Sequence, residues 1–147
     1  MEFHLNFNIL KEYCEENLGL KVFLQDQEQN IKGVSLYGYH SPSEHEIHIA
    51  STLQDTAAFS TLTHEFGHAL AHGSVEESLN TNLHQKEFEA DVMSIMFCQH
   101  YGLEITDERK SHLSGHYKDW KKSDPNNFHP DKSMRKMFDL FREHSTV

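Results

Sequence analysis

The apolar positions of the 147-residue chain switch between helical and strand periods. Phe7, Leu10, Cys14 and Leu18 recur at three- and four-residue spacing and predict an amphipathic first helix over 7–17. Residues 20–24 read as a short strand, the alternating run 34–39 as a second, and Glu46–Ala50 as a third. Ser41-Pro42-Ser43 supplies a hairpin turn between the last two. Along the third strand Ile47 and Ile49 face the core, leaving Glu46 outward and His48 as a surface histidine. The period then returns to helical. Ser51 with Gln54 fits a capping box, and Asp55 places negative charge in the first turn. Leu62, Phe66, Ala69 and Leu70 form an apolar face, and His72-Gly73 marks the helix end. Further helical patterns cover 86–102 and 106–120. After a Pro- and Asn-rich break at 123–130, the last helix covers 133–144, where Met134, Met137, Phe138 and Phe141 read as a core-packing stripe. No repeat or low-complexity segment interrupts this order. The expected fold is α+β, one domain over 1–147, with a small twisted antiparallel or mixed sheet packed on helices.

Composition narrows the class. Hydrophobic residues are only 37%, and 11% aromatic residues offset this through the large area each one buries. No apolar run approaches the roughly 18 residues that span a bilayer, and the first residues lack a signal-peptide pattern. Cys14 and Cys98 then read as reduced thiols, Cys98 in a helix core, and the expected location is the cytoplasm. A net charge of −10 argues against direct nucleic-acid binding, and Lys118, Lys121 and Lys122 read as a solvated face. The acidic balance suits a protein partner with a basic surface. Oligomeric state leaves no mark in the sequence.

The chemistry concentrates in His64-Glu65-Phe66-Gly67-His68, an H-E-x-x-H motif inside the predicted second helix. Residues four apart share a face, so both imidazoles can reach one zinc ion while Glu65 acts as general base on an activated water. The chain has 13 histidines, so the motif alone is a weak signal and its context must carry the inference. His72 lies on the same face, but 64 to 72 spans about 12 Å of helix axis, too far for one ion, and it reads as a capping or supporting residue. The metzincin arrangement needs glycine at 71 and histidine at 74; Ala71 and Ser74 exclude it. The third ligand must come from another element. Glu87 and Asp91 share a face of the next helix, with Glu89 about 160° away. Glu87 can complete a two-His, one-Glu site, and Asp91 can accept the free N–H of a ligand histidine.

His64–His72 followed by Glu87-x-Glu89-Ala90-Asp91 resembles the ImmA/IrrE-type zinc metallopeptidases, which are gluzincins. Cys98–Leu103 and Trp120 resemble the peptidase domain of ArdC-type antirestriction proteins. The resemblance covers about 37–120 and implies a zincin-like fold, one zinc ion held by His64, His68 and Glu87, Glu65 as catalytic base, and Asp91 as support for a ligand. It also implies a peptide laid along an edge strand beside the metal helix, for which Glu46–Ala50 is the candidate. The chain departs from ArdC-type proteins in having no room for their DNA-binding domain, and from many ImmA/IrrE proteins in the tract after the glutamate helix. His116 stands where the ArdC-like stretch has a tyrosine, with Tyr117 beside it. These two, and Tyr39, are the candidates for stabilising a tetrahedral oxyanion.

The leading expectation is a zinc metallopeptidase cutting a selective protein target, such as a regulator in a bacterium, phage or plasmid. Two rivals stand beside it: a catalytically weak zinc domain acting by protein binding, for example on a restriction or defence system, and a structural domain with a fortuitous motif.

Overall fold

The computed structural model describes residues 2–25, 30–31, 34–35 and 37–145. In chain order the elements are α1 (Glu2–Asn17), β1 (Lys21–Gln25), β2 (Asn30–Ile31), β3 (Val34–Ser35), β4 (Gly38–Ser41), β5 (Glu46–Ala50), α2 (Asp55–Ala71), α3 (Val75–Asn80), α4 (Leu83–His100), α5 (Asp107–Ser123), a 3-10 turn (Pro125–Asn127) and α6 (Pro130–His144). The architecture is α+β, with a mixed three-stranded sheet.

β5 is the middle strand. It pairs in parallel with β1, Val22 opposite Ile47, and antiparallel with β4, Tyr39 opposite His48. Strand alternation sorts the residues as their polarity demands: Val22, Ile47 and Ile49 are buried, while His48 stacks between Phe23 and Tyr39 on the opposite face. Because β5 has a partner on both sides, it cannot be the edge that takes a peptide. The edge strands of this sheet are β1 and β4, and β4 lies against α2. The single strand expected over 34–39 is instead two pieces: Val34–Ser35 turns back on Asn30–Ile31, and Gly38–Ser41 joins the main sheet, while Leu36 lies outside the described residues.

The helix boundaries correct two expectations. Ser51 forms no capping box, since its backbone N–H donates to the Gln25 carbonyl and extends the sheet by a residue; α2 starts at Asp55 with Gln54 as N-cap. α4 starts ahead of the predicted 86, because the Asn82 side chain accepts from the His84 and Gln85 N–H groups and nucleates the first turn. The short α3, capped by Ser74, was not foreseen.

α4 lies at the centre, with α2, α5 and α6 packed around it. Phe88 to Ser94, Phe97 and Cys98 are all buried, so α4 is covered on nearly every side and shows no narrow apolar stripe. On α6 the predicted core stripe splits. Met137 is fully buried and Phe141 packs on Phe97, but Met134 and Phe138 are each half exposed, because α6 meets α4 along one edge only.

The α2–α4 contact sets the position of the site. A Cβ on Gly67 would lie 3.0 Å from Met93 Cβ and 3.1 Å from Ala90 Cα, so glycine lets the two backbones approach. Thr63 Oγ1 and Ser94 Oγ meet at 2.8 Å across the same contact, and both bond the Ser60 carbonyl. Gly38 plays the corresponding part for β4, where a Cβ would fall 2.7 Å from Thr61 Cγ2 on α2.

Candidate metal centre

Close packing at Gly67 brings the first turns of α4 over the C-terminal half of α2. His64 and His68 project toward Glu87, whose Oε2 lies 2.8 Å from His64 Nε2 and 3.2 Å from His68 Nε2. The ligand atoms of these three residues lie within 4.8 Å of one another, the one such group among the described residues. Ligand atoms about 2 Å from a tetrahedral zinc ion are about 3.3 Å apart, so the observed separations suit one small cation.

The tautomers suit it too. His64 turns Nδ1 to Asp91 Oδ1 at 3.0 Å, which leaves Nε2 for the centre. His68 turns Nδ1 to His72 Nδ1 at 3.3 Å. His72 in turn donates from Nε2 to Glu89 Oε1 at 2.7 Å, and Ser133 on α6 donates to the other Glu89 oxygen at 2.5 Å. With its Nε2 proton committed to Glu89, His72 Nδ1 can only accept, so His68 donates from Nδ1 and also frees Nε2. Burial of His72 favours its neutral form, and the His72 and Ser133 bonds outweigh burial to keep Glu89 ionised. Both candidate ligand histidines are thus oriented through their far nitrogens, the arrangement that fixes metal-binding imidazoles.

Without a cation the same geometry makes an ion pair. Burial opposes charge on both partners, but Asp91 and Glu87 hold the His64 pKa above its ordinary value, and His64 and His68 hold Glu87 well below the carboxylate range. Glu65 stands between the two histidines in sequence and is 7% exposed. Burial pushes its carboxyl upward; His64 and His68 oppose this, and Glu87 and Asp91 reinforce it. A carboxylate raised in this way takes a proton more readily near neutral pH.

Two open clefts of about 310 and 290 Å³ meet at this point, and both are lined by Gly38, Glu65 and Glu87. Arg109 and His112 line the first, Tyr39 and His40 the second. Burial pushes His40 down to about 4, so it presents a neutral ring.

The structure brings together His64, Glu65, His68, Glu87 and Asp91. It does not bring Tyr117 to the clefts: that ring packs on Phe88 and Phe128. His116 faces His84, Nδ1 to Nδ1 at 3.1 Å, and stacks edge-on against His112. His112, one turn earlier on α5, is the histidine that reaches the cleft. Its Nδ1 lies 2.6 Å from Asp91 Oδ2 and its side chain is 49% exposed. One signal could have found it: His112 and His116 share a helix face, so a residue at 116 near the site implies another a turn away. The His72–Glu89–Ser133 chain had no such signal, because Ser133 comes from a helix 44 residues beyond Glu89.

No curated protein and no solved structure matches the chain. Residues 15–110, well over half of its length, match the model of the IrrE N-terminal-like domain, Peptidase_M78, and the chain belongs to that peptidase family.

Proposed function

We propose that the chain is a zinc-dependent metallopeptidase of gluzincin type, with a zincin-like fold and one zinc ion per molecule. The carrying observation is the convergence of His64 Nε2, His68 Nε2 and Glu87 on one point, with each histidine's Nδ1 already tied to a buried acceptor. A zinc ion held there supplies Lewis-acid polarisation of a peptide carbonyl and acidifies a water. Glu65 takes the proton of the attacking water and passes it to the leaving amine. Asp91 orients two imidazoles at once: His64 for the metal and His112 for the cleft. With Nδ1 held by Asp91, His112 keeps Nε2 for the substrate, where it can hydrogen-bond the developing oxyanion. His112 therefore replaces His116 and Tyr117 as the preferred oxyanion donor. The substrate is a protein segment that lies extended beside β4, the edge strand against α2, and the target is a selective one inside the cell. Both cysteines are free and buried, which suits a reducing compartment.

The test is metal content by mass spectrometry together with cleavage of a proteome-derived peptide mixture. Wild type carries about one zinc per chain, and Glu87→Ala weakens or loses it. Glu65→Gln keeps the zinc and lowers cleavage by about 10²- to 10⁴-fold. A protein that takes up no zinc, or a Glu65→Gln variant that cleaves like wild type, removes the peptidase reading.

A further inference from the structure

Beside the first cleft lies a larger cavity of about 470 Å³. The two are continuous: Tyr37, Thr61, Glu108 and Arg109 line both. Ser60, one helical turn before His64 on α2, stands in its wall, and Ala57 lies a further turn back. Leu53, Ala57, Leu103 and Ile105 give it an apolar lining, and the buried Cys98 stands behind them. Leu103 and Ile105 come from the α4–α5 connection, which no part of the proposed hydrolytic chemistry uses. Among the described residues the one cation in the wall is Arg109, whose guanidinium is turned onto the Ser60 and Ser94 hydroxyls. Glu104 and Glu108 also line the cavity and are exposed.

We propose that this cavity is the specificity pocket of the site, and that it receives a large uncharged apolar side chain, such as Phe, Leu or Met, from a residue flanking the scissile bond. The inference rests on the peptidase reading for the word scissile, but the pocket itself does not depend on catalysis. A turn of helix is about 5.4 Å, and an extended peptide advances about 3.3 Å per residue. The pocket is therefore one to two residues from the metal-facing carbonyl, within reach of a long side chain from the adjacent residue. An apolar group entering it trades water for Leu53, Leu103 and Ile105 contacts and gains affinity in proportion to its area. A carboxylate meets two glutamates against one arginine already engaged by hydroxyls, and loses.

Two readouts separate the pocket from the chemistry. In the first, N-acetyl-phenylalanine amide and N-acetyl-glutamate amide are titrated into methyl-labelled protein. The phenylalanine compound shifts the methyl signals of Leu53, Ala57, Leu103 and Ile105, the glutamate compound leaves them in place, and Ala57→Trp abolishes the response. Ala57 is exposed on α2, so tryptophan fills the cavity without entering the core. In the second, zinc-loaded protein is given peptides that differ only in the residues flanking the bond. The kcat/KM for Phe or Leu exceeds that for Glu by about tenfold or more, and Ala57→Trp brings the ratio to within about threefold. Methyl shifts without any cleavage keep the pocket and remove the peptidase reading. Cleavage without methyl shifts, or with no preference for apolar over acidic flanking residues, overturns the pocket. A preference for Glu overturns it as well and makes Arg109 the determinant.

Discussion

At the residue scale, the site is a set of hydrogen bonds that hold Nδ1 of His64 and His68 and turn the Nε2 of each toward Glu87. His64 and His68 would be interchangeable by motif, yet their supports differ. Asp91 serves His64 directly, whereas His68 is reached through His72, Glu89 and Ser133. His112 shares Asp91 with His64, so its effect can be isolated only by removing its ring nitrogens while Asp91 stays. His112→Phe is expected to retain zinc, change KM little and lower kcat by about 10²-fold, the usual loss for one oxyanion donor. The check is steady-state kinetics beside metal content; unchanged kcat would return the role to another residue. Of these groups, His64, Glu65, His68, Glu87 and Asp91 were legible as residues in one short stretch of sequence. His72 was legible as a capping or supporting residue, but His112 and the Glu89–Ser133 end of the relay were not, since their roles come from which helices touch.

At the scale of elements, one interface decides the site. α2 carries two of the proposed ligand residues and α4 the third, and their separation depends on Gly67. Alanine there has two opposed effects. It favours the helix by about 1 kcal/mol over glycine. Its Cβ would also meet Met93 Cβ at 3.0 Å and the Ala90 backbone at 3.1 and 3.2 Å, an overpacking that costs about 1–3 kcal/mol. Backbone atoms cannot swing aside as a side-chain tip can, so overpacking wins. Gly67→Ala should lower the denaturation midpoint and also weaken zinc binding, because α4 moves outward and takes Glu87 with it. Urea titration and a competitive zinc chelator measure the two effects; full zinc affinity in a destabilised variant would show that Glu87 follows α2 by its own side-chain freedom.

At the scale of the whole molecule, stability depends on a core in which α1 and the sheet close one side of α2. Cys14 on α1 is completely buried in that core, and burial first, then Glu15, raises its thiol from 9.0 to about 12. The sign follows from linkage. The folded protein keeps the thiol proton after the unfolded chain has released it, so this contribution is complete below about pH 9 and is lost as pH rises toward 12. The Tm of wild type should therefore fall through this range, and Cys14→Ala should fall less steeply. Equal slopes in scanning calorimetry would assign the alkaline loss to other groups.

The amino-acid order alone determined the α+β class, most of the helices, the core-facing side of β5, and the motif with its downstream glutamate. Each of these is a local or periodic property: four residues make a helical turn, two make a strand repeat, and polarity then selects the inward face. Tertiary structure decided the rest. It made β5 a central strand with a parallel partner, so β4 became the edge beside α2. It put His112 rather than Tyr117 at the cleft, put Ser133 behind His72, and opened an apolar cavity beside the candidate ligands. These depend on contacts between residues up to 49 apart in the chain, such as Arg109 on Ser60, and no period along the sequence encodes which helix lies next to which.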